Sequence, residues 1–145
     1  MSQLLSNAIA SLSISNDAPS VTEFIQLRLS VGWGESNIIS TKSSLENSLF
    51  HITIRDSGKL LAMGRVIGDG GLNFYIQDVV VHPKAQGQGL GDKIMKAIEV
   101  YLNDAAQPGS TIGLFAATAK EKFYQRYGYI ERPNQNMGNG MCRSV

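Results

Sequence analysis

Three alternating glycines follow an apolar run in the segment Asp78-Val79-Val80-Val81-His82-Pro83-Lys84-Ala85-Gln86-Gly87-Gln88-Gly89-Leu90-Gly91, and a helical pattern opens behind them. The first amides of a helix lack intrahelical partners, so with little side-chain bulk around them they make an anion site. Glycine in a helix costs roughly 1 kcal/mol relative to alanine. Gly89 and Gly91 therefore give up stability at the start of the best helix in the chain. Close approach of the backbone to a phosphate accounts for that loss. A tight strand-to-helix turn with no ligand accounts for the glycine spacing equally well. Two phosphate motifs fail outright: Gly91 is followed by Asp92 rather than the Lys of a Walker A loop, and Gly87-x-Gly89-x-Gly91 is not the G-x-G-x-x-G of dinucleotide folds.

Gln86-x-x-Gly89-x-Gly91 instead resembles the Q/R-x-x-G-x-G/A signature of the GNAT superfamily of acyl-CoA N-acyltransferases. Phe123-Tyr124-Gln125-Arg126-Tyr127-Gly128-Tyr129 is similar to that family's F-Y-x-x-x-G-F segment. Leu27-Arg28-x-x-Val31-Gly32-Trp33 resembles a group of its small, mostly bacterial members. The resemblance covers Pro19 to Arg143. It implies an α+β fold with a mostly antiparallel central sheet, flanked by helices and splayed at its middle. It also implies acetyl-CoA as co-substrate, with no metal. The pyrophosphate would lie on the amides of Gln86, Gly87, Gln88, Gly89, Leu90 and Gly91. Val79, Val80 and Val81 would pair their backbone with the pantetheine arm as a strand does. Oriented amides and a helix dipole can replace a basic patch; Lys84 and Lys93 read better as solvated lysines.

The implied reaction expels a CoA thiolate, whose thiol titrates near ~8.5, whereas a tyrosine titrates near ~10. Tyr124, at the family's tyrosine position, is thus protonated at neutral pH and suits a general acid. Its alternative is packing, the expected role of Phe123 and Tyr127. A lysine-like amine near pKa ~10.4 must also lose a proton, at about 4.6 kcal/mol if unassisted at neutral pH. Several family members carry a glutamate eleven residues before the motif's first residue; here that place holds Tyr75. Asp78 is the nearest carboxylate on the same strand and is the candidate base, with a structural carboxylate or a water as alternatives. Trp33, Tyr75 and Gln77 are the candidate acceptor residues, although Trp33 suits a core plug equally well. His51 and His82 suit local hydrogen bonds. The segment Met137-Gly138-Asn139-Gly140-Met141 suits a closing flap or a surface loop. Cys142 has no role in direct transfer.

These residues need elements to hold them. Alternation over Ser11–Ser15 predicts a short strand. Ser20-Val21-Thr22-Glu23 is a capping box ahead of a helix over Val21–Val31, ended by Gly32-Trp33-Gly34. A Ser-rich helix is expected over Thr41–Ser48. Strands over Phe50–Arg55 and Leu60–Ile67 flank a hairpin turn, and Gly68–Gly71 leads into a third strand, Leu72–Val81. A helix from Leu90 places Ile94, Ala97, Ile98, Tyr101 and Leu102 on one face. A strand over Thr111–Ala116 and a helix over Ala119–Tyr127, capped by Gly128, follow. Tyr129–Glu131 and Gly140–Arg143 are expected as short closing strands. Such an order is α+β, or mixed α/β.

The 145 residues are 43% hydrophobic and 17% charged, enough for one core and too apolar for disorder. The expectation is one domain over 1–145, with 1–10 a loose arm. Thirteen Lys and Arg against twelve Asp and Glu leave a net charge of +1, which supplies no field for nucleic acid. No apolar run reaches a membrane span. One cysteine excludes an internal disulfide, and the first charge, Asp17, gives no basic secretory start, so a cytoplasmic site is expected. The expected activity is acetyl transfer from acetyl-CoA to the primary amine of a small molecule. A protein or peptide N-acetyltransferase and a non-catalytic acyl-CoA sensor are the alternatives. The resemblance leaves a homodimer open.

Overall fold

The computed structural model describes residues 11–145; the expected arm over 1–10 lies outside the described residues. The chain forms two compact units, one ending at Leu114 and one running from Phe115 to Val145.

The first unit is built on a five-stranded sheet in the order β1 (Leu12–Ser15), β2 (Phe50–Asp56), β3 (Lys59–Gly68), β4 (Asn73–Val81), β5 (Thr111–Leu114). The first three pairings are antiparallel and β4 with β5 is parallel. This is the α+β arrangement expected. Ser57 and Gly58, both at positive φ, make the two-residue turn between β2 and β3 that a tight hairpin requires.

Helix α1 (Val21–Ser30) starts at its capping box: Glu23 N donates to Ser20 Oγ at 3.2 Å and Ser20 N to Glu23 Oε2 at 2.7 Å. Helix α2 (Ile38–Glu46) begins three residues earlier than its apolar pattern suggests, because Asn37 caps it by accepting from Ser40 N at 3.0 Å. Ile38 and Ile39 stay exposed, so periodicity carried no sign of that first turn. Phe24 and Leu27 of α1, Leu45 of α2, and Leu60, Met63 and Val80 of the sheet form one core cluster.

Helix α3 (Leu90–Ala105) covers the other face with buried Leu90, Ile94, Met95, Ile98 and Leu102. Ala97 and Tyr101 sit half-buried at its margin, Tyr101 stacked on Phe50 at 4.6 Å. Gly64 of β3 lets the helix approach: a Cβ there would lie 2.6 Å from Ile94 Cγ2 and 3.0 Å from Ile98 Cδ1. Among the described residues no helix is long and apolar enough to cross a membrane.

The Phe115–Val145 unit holds one short helix, α4 (Glu121–Gln125). Ala119, at φ 64, stands outside it and shortens the expected span. The helix also ends earlier than expected, at Gln125 with Arg126 as its C-cap, so Gly128, at φ 91, lies in the turn beyond it and is not the cap. The two expected closing strands do not form: Tyr129–Glu131 and Gly140–Arg143 are irregular. Glu131 O accepts from Asn134 Nδ2 at 3.1 Å, and between the two segments Arg132 Nε donates to Gly138 O at 2.7 Å and Asn136 N to Asn134 Oδ1 at 3.0 Å. Such local bonds compete with a ladder.

Candidate functional site

β4 and β5 pair only as far as Ile76 opposite Leu114. Beyond that point Gln77–Val81 has no strand on its β5 side among the described residues. An unpaired strand edge offers N–H and C=O groups to any extended chain of similar polarity. On the other side, the β3 register slips by one residue between Met63 and Arg65. Met63 faces Val80 while Arg65 faces Gln77. One residue of β3, Gly64, thus opposes two of β4, and Asp78 takes φ 54 in the resulting bulge.

The glycine loop leaves the end of this strand. Pro83–Ala85 form one turn of 3-10 helix, and Gln86 Nε2 donates back to Val81 O at 3.0 Å. Gly87 and Gly89 follow at φ 80 and 81, the left-handed region that L side chains rarely adopt. No atom lies within 4 Å of a Cβ built at either, so packing makes no demand for glycine at these places. Gly89 caps α3 without any side-chain bond. The first helical bond runs from Lys93 N to Gly89 O, so the amides ahead of it stand outside the ladder. Gln86, Gly87, Gln88 and Gly89 are exposed and Gly91 is half-buried. Leu90 and Val80 are core side chains, so only their backbones are available to a ligand; Val79 and Val81 are half-buried.

Asp78 departs from the expected base. Its side chain is 1% exposed, and Oδ2 accepts from Arg65 Nε at 2.8 Å while Oδ1 accepts from Arg28 Nη1. Both oxygens are committed to guanidinium groups, and protonation would leave two cations without their counter-charge. The structural alternative fits, with arginines in place of backbone amides. Arg28 stood in the Leu27–Trp33 resemblance without a role, and Arg65 was not singled out by the sequence. The available signal was an arginine inside the apolar strand Leu60–Ile67, since a buried charge requires a partner.

Trp33 is half-buried, packed on the core cluster and on the Arg28 guanidinium at 5.4 Å from the ring centroid. Tyr75 and Gln77 oppose Ile67 and Arg65 and so share the sheet face of Met63. The Tyr75 ring lies over Gly113, 3.6 Å from where its Cβ would stand. His51 bonds Leu45 O at 2.9 Å, and His82 Nδ1 accepts from Lys84 N at 3.1 Å, both local contacts.

Tyr124 belongs to the Phe115–Val145 unit, on α4. It meets Phe123 edge-on at 5.0 Å, and Phe123 meets Tyr127 at 5.6 Å. Burial pushes the Tyr124 phenol above its ordinary value of 10.0. A phenol held protonated is a proton donor across the neutral range.

Residues 36–143 match the Acetyltransferase (GNAT) domain family. An uncharacterized N-acetyltransferase, ycf52, of Pyropia yezoensis is 36% identical over 124 residues, covering 83% of this chain and 70% of its own length. Serotonin N-acetyltransferase 2, chloroplastic, of Oryza sativa is 34% identical over 88 residues, which is 61% of this chain and 43% of that protein. Among solved structures, a protein of unknown function from meticillin-resistant Staphylococcus aureus, titled "Probable Acetyltransferase", superposes with a TM-score of 0.84 at 29% identity. That match covers 92% of this chain and 99% of the other.

Proposed function

Because the chain belongs to the GNAT acetyltransferase family, we propose that it moves an acetyl group from acetyl-CoA to the primary amine of a small molecule by direct attack. The observation that carries this reading is the open glycine loop beside an unpaired strand edge. Gly87 and Gly89 leave free space before α3, and Gln77–Val81 leaves main-chain groups for an extended arm. Pyrophosphate suits the first, and pantetheine, an amide-bearing chain, suits the second. Val79, Val80 and Val81 offer backbone to the arm, and Gln86 to Gly91 offer amides to the phosphates. The matched residues, 36–143, run through both compact units, which supports one domain over 1–145.

Tyr124 protonates the departing sulfur as the amine attacks. With both Asp78 oxygens committed, the amine's proton leaves by water. Trp33, Tyr75 and Gln77 line the acceptor side. Among amines, an arylalkylamine is the first to try, given the name of the rice relative.

Thermal unfolding with acetyl-CoA tests the reading. Ligand at ~100 times its Kd adds about 2.7 kcal/mol, a rise in Tm of about 5–10 °C for a chain of this size. A rise of that order, with ATP and NAD giving none, supports the site. No rise at millimolar acetyl-CoA refutes it.

A further inference from the structure

Asp78 stands at the place where β4 changes from a paired strand to a free edge. Its φ of 54 is a conformation that a non-glycine residue keeps only when its surroundings hold it. The other two such residues among those described, Ser57 and Ala119, lie in a turn and outside regular structure. Asp78 alone does so inside a strand.

Two elements reach this carboxylate and a third is tied to it through Arg65. Arg28 reaches it from α1, and Arg65 from β3. Arg65 also donates from Nη1 to Ser48 Oγ at 3.0 Å and to Ser44 O at 3.3 Å, which anchors it to the end of α2. The ring of Phe24 lies 5.6 Å from the Arg28 guanidinium carbon and 5.9 Å from that of Arg65, and Trp33 packs on Arg28. The cluster therefore holds two positive groups and one negative group under the sheet. A regular strand would aim residue 78 at the α3 face, along with Phe74 and Ile76. The bulge turns it to the face of Arg65 instead.

We propose that Asp78 is a positioning residue. Clamped by Arg28 and Arg65, it holds the β4 bulge and thereby sets the course of the free edge, Gln77–Val81. The further claim that this edge carries acetyl-CoA rests on the function proposed above. Because Arg28 also packs on Trp33, the same clamp ties the acceptor-side loop to the cofactor strand.

A second ion pair supplies the control. Arg55 of β2 donates to Glu23 of α1 at 2.5 and 2.7 Å, and it too joins α1 to the sheet, away from β4. Acetyl-CoA Kd is measured by calorimetry on the full chain, at a temperature where circular dichroism shows each variant folded. Asp78→Asn should raise Kd about tenfold or more, because one lost charge leaves the buried Arg65 and half-buried Arg28 guanidinium groups opposed without a counter-charge. Arg55→Gln should leave Kd within about twofold of the parent. Asp78→Gly allows φ 54 without a clamp and should bind no better than Asp78→Asn. If Asp78→Asn fails to fold, Arg28→Lys, which keeps the charge and loses the planar fork, takes its place with the same expectation.

An unchanged Kd in Asp78→Asn overturns the proposal, as does recovery in Asp78→Gly or an equal loss in Arg55→Gln. Hydrogen exchange on the ligand-free protein gives a reading independent of the cofactor. Protection over Gln77–Val81 should fall in Asp78→Asn and hold in Arg55→Gln; equal protection in the two overturns the clamp. Parent protein that fails to bind acetyl-CoA, with the exchange result as expected, would refute the function and leave the clamp standing.

Discussion

The side-chain amide of Gln86 donates to the backbone carbonyl of Val81 at 3.0 Å, closing the glycine loop back onto the strand it leaves. The contact is exposed, so it adds little to global stability while fixing where the loop begins. Gln86→Ala should raise the KM for acetyl-CoA several-fold with Tm nearly unchanged. Gln86→Glu should do worse, since it loses the donor and sets a negative charge where phosphates bind. Steady-state kinetics with both variants would show the order. Equal KM in all three proteins would remove Gln86 from the site.

Tyr124→Phe should lower kcat by about 10²-fold or more, the usual contribution of a positioned proton donor. Acetyl-CoA Kd should stay within about twofold. The active form of an acid is the protonated one, so activity is lost as pH rises through its pKa. Burial pushes that pKa up from the ordinary 10.0, so the tyrosine should impose no loss of turnover across the neutral range. A kcat unchanged in Tyr124→Phe would leave the residue only a packing role.

Ala at Gly87 or Gly89 meets no neighbour, yet it must adopt φ near 80. Each substitution should cost about 1–2 kcal/mol by urea unfolding. Methyl groups in the open space should also shrink the Tm rise given by acetyl-CoA. A full rise in both variants would show that the ligand lies elsewhere.

Gly64→Ala should destabilise the protein by about 1–3 kcal/mol, because its methyl would meet the fully buried Ile94 at 2.6 Å. Ile94→Ala removes the opposing methyl, so the double variant should lose less than the sum of the two. Additive losses in a urea cycle would show that the two residues do not press on each other.

Asp69 accepts from Gly71 N at 2.8 Å, from Asn73 N at 2.9 Å and from the Asn73 side chain, and these bonds hold its carboxyl at about 2 against an ordinary 3.8. Arg55 lowers Glu23 in the same way from 4.5. A depressed carboxylate stabilises the fold above its unfolded pKa, and the contribution is lost as pH falls through the folded value. Urea midpoints should therefore fall between pH 5 and pH 2, less steeply in Asp69→Asn. Parallel profiles would contradict the turn's role.

Much of the molecule was legible in short stretches of sequence. The Ser20–Glu23 capping box, the Ser57-Gly58 turn, the inward face of α3 and the Gln86–Gly91 loop all depend on residues a few positions apart. Local hydrogen bonding and backbone sterics decide such features, and both are written in residue type and spacing. The expected closing strand Tyr129–Glu131 did not form, and the Glu131 carbonyl accepts instead from the Asn134 side chain. Asparagine and arginine side chains near Pro133 bond backbone groups two to six residues away.

What decides the site is not local. Asp78 meets Arg65 thirteen residues away and Arg28 fifty residues away. The sequence by itself presented a carboxylate on a strand and an arginine inside an apolar run, two buried charges in need of partners. Only the folded sheet, with its slipped register at Gly64 and its fifth strand ending at Leu114, decided which charges met and which edge stayed open. Burial makes an unpaired charge too costly to keep, and the partner that relieves it is chosen by packing across the whole fold.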